Sequence, residues 1–316
     1  MRILSLDMGG THIGCAVVED GKLLVTGEIS FHGHQHLVEM LPVIEGEMRR
    51  LLQSINLGFG ECDGLAIGFP GIVDYREGSV LGTLGKYDDA PGVDIAGWCR
   101  TALGLPMAIE NDARVALLGE HYVGAAKGYT DVVMLTLGTG IGGTAMMDGR
   151  LLRGIHAHAG SVGGHFVVDL EGRRCKCGGI GCSEAEASGS TLPEIARGWD
   201  GFAESSLNDG GPTHFRAVFT EAEKGDRVAL EIRERCLHVW AANVVTQVLA
   251  YDPEVVVIGG GVMRSADVII PFIQSYVDAH TWAVWGKPRI LAAKLGNNAA
   301  LLGGVPLMME VLGRGE

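Results

Sequence analysis

Positive charge is scarce in this chain: 25 lysines and arginines stand against 38 aspartates and glutamates, a formal net charge of −13 over 316 residues. Nucleic acid or an anionic lipid surface would approach against the protein's mean field, which argues against general affinity for either and leaves only local basic patches. Long apolar runs are missing as well, since none approaches the ~20 residues a membrane span needs. The opening MRILSLDMGGTH reaches Asp7 without building the apolar stretch of a secretory signal. Paired cysteine spacing is also lacking for Cys15, Cys62, Cys99 and Cys236, which are scattered among apolar or helical surroundings. They read as free buried thiols, and a reducing, cytoplasmic compartment is the expectation.

What the chain has in excess is glycine. Its 49 glycines are about twice the usual ~7% share. They gather behind short apolar runs, in ILSLDMGGTHIG, GLAIGFPGIVD, VVMLTLGTGIGG and VVVIGGGV. Each run is a strand candidate, and each glycine cluster lets backbone N–H groups turn toward a bulky anion, so four such junctions predict a phosphate-rich ligand.

The hydrophobic pattern predicts strands over 2–7, 13–18 and 23–29, then a helix over 36–55 with Leu37, Leu41, Val43, Ile44, Met48, Leu51 and Leu52 on its apolar face. A strand at 63–68, a short helix through IAGWCRTALG, a strand at 106–109 and a helix over RVALLGEHYVGAA follow, which puts Asp112 at a strand-to-helix turn. The second half repeats the plan: a strand at 131–137, the turn GTGIGG, a hairpin partner in TAMMDGRLL, a long helix over 228–250 and the strand-loop VVVIGGGV. Two such units predict an α/β chain of two domains with the ligand in a cleft.

His165, Cys175, Cys177 and Cys182 fall in the run HFVVDLEGRRCKCGGIGCSE. Zinc favours a closed tetrahedron of thiolate and imidazole in structural sites, and short spacings let one turn supply several ligands. A Cys3His zinc knuckle is expected, the alternative being a reduced glycine-rich loop.

The Asp7-Met8-Gly9-Gly10-Thr11 turn, the Glu110-Asn111-Asp112-Ala113 tetrad, the loop LGTGIGG at 137–143, the CxCGxxGCxE run at 175–184 and IGGGV at 258–262 together resemble the ROK family, which groups sugar kinases with related transcriptional repressors. The resemblance spans nearly the whole chain. It implies the actin-like ATPase fold (ribonuclease H-like), with an N-terminal domain over 1–113, a C-terminal domain over 114–298 holding the zinc loop, and a last helix over about 299–316 returning to the first domain. It also implies ATP-dependent phosphoryl transfer to a sugar hydroxyl.

Residue by residue, the resemblance makes Asp112 the general base and Asn111, Asp112, His165 and Glu184 the sugar contacts. An isolated Asp before a helix is more commonly a helix cap, and it is the motif that favours the catalytic reading. Asp7 is expected to help hold Mg2+, because a hard cation on phosphate oxygens prefers oxygen ligands. Gly9, Gly10, Thr11, Gly138, Thr139, Gly140, Gly142 and Gly143 are expected around the phosphates, and Gly259, Gly260 and Gly261 on the adenosine side.

Two departures bear on the acceptor. The family's Glu-x-Gly-His segment is AGSVGGH here, so the Glu position falls on Ser161 or Val162 and the carboxylate is gone. Hydrogen bonds to charged groups contribute ~1.5–3 kcal/mol, so glucose specificity is in doubt, and an N-acyl hexosamine, a β-glucoside or a cyclitol becomes an alternative acceptor. The segment before the tetrad, GKYDDAPGVDIAGW, offers Tyr87, Asp88 and Asp89 either as new contacts or as a solvated turn, and His156 and His158 either as contacts or as ordinary loop residues. The rival expectations are a catalytically idle sugar-binding protein and a ROK-type regulator; the regulator needs a DNA-binding region that the chain leaves no room for ahead of Asp7. A homodimer or homotetramer is the family habit.

Overall fold

In the computed structural model the described residues are 1–9, 12–31 and 36–313. They divide into two compact units: Met1–Gly128 with Leu151–Ser161 and Lys294–Glu316, and Tyr129–Arg150 with Val162–Ala293.

The first unit is built on strands β1 (Arg2–Met8), β2 (His12–Glu19), β3 (Lys22–Ser30), β4 (Gly64–Phe69) and β7 (Met107–Asn111), ordered β3-β2-β1-β4-β7. A two-stranded ribbon, β5 (Ile72–Asp74) and β6 (Ser79–Gly82), lies between β4 and β7 in sequence. β1 pairs antiparallel with β2 and parallel with β4, and β4 runs parallel to β7. Leu4, Leu6, Leu65, Ile67 and Ile109 are buried from these strands, together with one face of helix α1 (Leu37–Ser54). That face is Leu37, Met40, Leu41, Ile44, Met48, Leu51 and Leu52. Val43, expected on it, is 48% exposed, since at ~100° per residue it lies about 120° from the centre of that face.

Helix α2 (Ile95–Trp98) precedes β7, and helix α3 (Asp112–Val123) follows it without a break. α3 therefore starts at Asp112 itself, ahead of the RVALLG run. It packs on the last helix, α9 (Ala299–Val311). A Cβ at Gly303 would collide with the Val115 carbonyl oxygen, and one at Gly119 with that of Ala299. This close packing on α9 keeps α3 in the first unit, whose leading segment runs to Gly128 where the sequence suggested a boundary at 113/114.

The second unit repeats the arrangement. Its sheet runs β10-β9-β8-β11-β12, from β8 (Val132–Leu137), β9 (Ile141–Met147), β10 (Arg150–Leu151), β11 (Val255–Gly259) and β12 (Arg289–Ala292). β8 and β9 form the antiparallel hairpin, and β8, β11 and β12 are parallel. Short helices α4 (Ser183–Ala187), α5 (Leu192–Arg197) and α6 (Phe215–Glu223) lead into α7 (Arg227–Tyr251), with α8 (Ala266–His280) between β11 and β12. Of the predicted inward face of α7, Ile232, Leu237, Trp240, Val244 and Val248 are buried, while Leu230 and Val245 are only half-buried. No helix among the described residues is long and apolar enough to cross a membrane.

Candidate active site and metal cluster

Parallel strands end together, and side chains just past their carboxyl ends converge. In the first unit that edge carries Asp7 and the Glu110-Asn111-Asp112 turn: Asp7 lies opposite Gly68, and Gly68 opposite Glu110. A Cβ at Gly68 would sit 3.5 Å from the Asp112 Cα, so the small residue between them lets the two carboxylates share one region.

The helix start is capped by Asn111, whose Oδ1 accepts from Ala113 N (3.1 Å) and Arg114 N (3.3 Å). Its Nδ2 donates to Gly71 O and to Asp112 Oδ1, each at 3.1 Å. Both amide hydrogens are thus engaged within the protein. Asp112 Oδ1 also accepts from Ala113 N at 2.8 Å. Burial raises the Asp112 carboxyl above its ordinary value, against the Ala113 N–H and the Lys86 ammonium, which lower it. Burial and then the neighbouring Asp112 charge push Asp7 up to about 7, with Lys86 again opposing.

Lys86 was not singled out from the sequence. Its neighbour Tyr87 sits at φ +53°, with its ring packed against Phe69 (centroids 5.6 Å apart) and its hydroxyl donating to Gly9 O at 2.9 Å. Tyr87 is buried and is no open stacking platform. Asp89 accepts from Leu37 N and Val38 N at the start of α1, and Asp88 accepts from the Thr83 hydroxyl. These three residues are occupied in building the unit. Gly9 turns back on His12 O through its N–H (3.0 Å); Gly10 and Thr11 lie outside the described residues.

In the second unit the matching edge is made of backbone. Gly138 follows β8, with its N–H on Gly140 O and its carbonyl on Gly189 N, while Thr139 O accepts from Ser190 N. Glu184 Oε2 accepts from Ile141 N at 2.9 Å, which ties the first residues after the cysteine run to this loop. Gly142 and Gly143 lie in β9, and a Cβ on Gly143 would come within 2.7 Å of the Gly163 Cα. Gly259 ends β11. Gly260 adopts φ +95° and a Cβ there would strike Leu137 O, whereas a Cβ on Gly138 or Gly261 would meet open space.

His165, Cys175, Cys177 and Cys182 bring one ligand atom each within 4.8 Å of one another. Cys175 Sγ lies 3.6 Å from His165 Nδ1, and Cys177 Sγ 3.6 Å from Cys182 Sγ. A tetrahedral zinc with Zn–S of about 2.3 Å and Zn–N of about 2.0 Å requires ligand separations near ~3.6–3.8 Å. The donor set suits that ion, and the two pairs at 3.6 Å have its spacing. Gly178 (φ +94°) and Gly181 (φ +68°) supply the left-handed turns that bring the thiols together.

The two sheets, each an antiparallel hairpin joined to a parallel core, are those of the actin-like ATPase fold, which the solved structures below share. The profile of the ROK family matches residues 3–311, and the chain belongs to that family. It is 32% identical to a glucokinase of Thermotoga maritima over 99% of both chains. A ROK hexokinase from Thermus thermophilus superposes with a TM-score of 0.80 at 29% identity, covering 99% of this chain and 100% of that one. A ROK family glucokinase from Streptomyces griseus, in complex with glucose and AMPPNP, does so with a TM-score of 0.79 at 28% identity, over 97% and 99% of the two chains.

Proposed function

We infer that the chain is an ATP-dependent carbohydrate kinase, and we propose Asp112 as the general base that orients a sugar hydroxyl and takes its proton as the γ-phosphoryl group is transferred. The observation that carries this reading is the pair of converging carboxylates, Asp7 and Asp112, at the parallel-strand edge of a ROK chain. Phosphoryl transfer asks the protein mainly for positioning and charge neutralisation. Asp112 is held by the Ala113 N–H and the Asn111 amide, so its carboxylate is oriented before a substrate arrives.

Asp7 is the proposed oxygen ligand, direct or through water, for the Mg2+ that accompanies ATP. Two acidic groups whose ionisation is opposed by burial, that of Asp7 also by the Asp112 charge, suit a divalent cation, which neutralises phosphate oxygens when bound. The backbone at Gly9, Gly138, Thr139 and Gly140 and the turn Gly259–Gly261 are proposed beside the nucleotide, the Gly9 and Gly138 N–H groups being held by His12 O and Gly140 O in the chain itself. His165 and Glu184 are proposed for the sugar, with Asn111, whose amide is engaged within the protein, beside it. Zinc in the Cys3His cluster would fix the loop that carries His165 and Glu184. The four buried cysteines outside the cluster, Cys15, Cys62, Cys99 and Cys236, are unpaired, which supports a cytoplasmic protein. The acceptor is a hexose or a hexose-like molecule, and Ser161 and Val162 in place of an acidic residue favour one whose hydroxyl pattern does not need that carboxylate.

An ADP-release assay with Mg-ATP against hexoses, N-acyl hexosamines, β-glucosides and cyclitols tests the reading, on protein whose zinc content is measured and expected at about one per chain. Sugar-dependent ADP release supports it. Silence across the panel from folded, zinc-loaded protein favours a catalytically idle sugar-binding protein.

A further inference from the structure

Arg114 is fully buried in the first turn of α3, two residues after the proposed base. Its Nη1 donates to Glu110 Oε1 (3.0 Å) and Ala157 O (3.1 Å). Its Nη2 donates to Leu152 O (3.0 Å) and to Ala159 O. All four Nη hydrogens have acceptors, three of them backbone carbonyls that lie 38 to 45 residues away in sequence. Segment 152–159 is wrapped around the guanidinium. To do so it takes left-handed backbone at Gly154 (φ +68°) and at Ala157 (φ +54°), the latter a residue with a Cβ. For a residue with a Cβ such a conformation is unfavourable and persists only where its surroundings impose it.

Glu110 joins this cluster to the catalytic turn. Its Oε1 also accepts from Asn111 N (2.8 Å), and its Oε2 accepts from Arg153 Nε (2.6 Å). Arg153 in turn makes a two-pronged pair with Glu310 of α9 (2.6 and 2.8 Å) and lies over the Tyr75 ring at 4.0 Å. Two arginines and two glutamates cancel in charge, so the block does not set the net charge of the site; it sets shape. With the carbonyls of Leu152, Ala157 and Ala159 turned inward, His156 and His158 stand exposed.

Resting on the kinase reading, we propose that Arg114 is a positioning residue for the acceptor: by gathering the carbonyls of Leu152, Ala157 and Ala159 it shapes segment 152–159, which presents His156 and His158 to the sugar. Arg114 touches neither substrate. Its planar fork is what the arrangement needs. A lysine keeps the charge beside Glu110 but has three donors on one atom and cannot hold carbonyls on both sides of a plane.

The test compares Arg114→Lys with the wild type, using as acceptor the panel sugar with the highest kcat/KM. The expected result is a rise of about tenfold or more in acceptor KM, with ATP KM and kcat at saturating sugar within about twofold of the wild type. His156→Ala and His158→Ala, both at exposed positions, serve if Arg114→Lys does not fold; at least one should raise acceptor KM with melting temperature and ATP KM unchanged. Folded Arg114→Lys with wild-type acceptor KM overturns the proposal, as does a parallel loss in kcat and both KM values, which marks a purely structural clamp. Wild-type acceptor KM in both histidine variants overturns it too. Absence of sugar-dependent turnover in the wild type is a different failure: it sinks the kinase reading and this proposal with it.

Discussion

The carboxyl edges of the two sheets have the same strand plan and opposite contents. In β1-β4-β7 the edge ends in carboxylates, Asp7 and Asp112; in β8-β11-β12 it ends in glycines, Gly138 after β8 and Gly259–Gly261 after β11. Bare backbone offers N–H groups to an anion, while a carboxylate repels one unless a cation intervenes. On the proposed function one topology serves two tasks: chemistry on the sugar hydroxyl at the first edge, and accommodation of phosphate at the second. The physical cost differs as well. The first edge holds ionisable groups against burial, the second only backbone conformations that glycine adopts freely.

The largest effect is expected at the acidic edge. Asp112→Asn keeps the shape and the Ala113 N–H contact but removes the proton acceptor, and turnover should fall by about two to four orders of magnitude with sugar binding largely intact. Steady-state kinetics beside calorimetric sugar binding checks both halves, and undiminished turnover would remove Asp112 from the mechanism. Because burial raises the Asp112 carboxyl, the acid limb of the wild-type rate profile should lie above the ordinary carboxylate range, activity being lost as pH falls and the base becomes protonated.

At the glycine edge the effect is smaller and confined to the nucleotide. Gly261→Ala adds a methyl group where the protein itself leaves room, so the fold should melt unchanged. If the nucleotide approaches this backbone closely, ATP KM should rise about tenfold, equivalent to ~1.4 kcal/mol. An unaffected ATP KM would separate Gly261 from the nucleotide and weaken the contrast between the edges. Gly260→Ala is the control with a known cause, since its Cβ meets Leu137 O and stability itself should drop.

Much of this was legible in the sequence, because the signals involved are local. Alternation and glycine punctuation located β1, β4, β8 and β11, and a 3.6-residue period located α1 and α7. The cysteine spacing anticipated four donors that do converge in space. What was not legible depends on partners far along the chain. Gly119 and Gly303 lie in different helices, and only their mutual approach explains why α3 and α9 belong together. Arg114 stands in a helical run with nothing local to mark it; its burial needs carbonyls from a separate segment. Tyr87 and Asp89 were expected either as substrate contacts or as a solvated turn, and the core under Phe69 and the start of α1 claim them instead. Lys86 gave no signal at all, since a single lysine beside a glycine carries no pattern.

The effect that isolates the cost of the acidic edge, felt in stability and not in turnover, appears without metal. The folded-state value of Asp7 is about 7 against an ordinary 3.8, so between those two pH values the folded protein binds more protons than the unfolded chain. Stability then falls as pH rises through that window and stays reduced above it. Asp7→Asn removes the penalty. Without Mg2+ the variant should match the wild type near pH 4 and exceed it at pH 8, by an amount bounded by about 4 kcal/mol at ~1.4 kcal/mol per pH unit. Denaturant unfolding of the two proteins at both pH values measures it. Adding Mg2+ with a non-hydrolysable ATP analogue should reverse the order at pH 8, because the ionised Asp7 is then the favoured form and only the wild type gains its contact with the cation. A variant no more stable than the wild type at pH 8 would mean that Asp7 is not held against its own ionisation, and the two sheet edges would then differ in chemistry but not in cost.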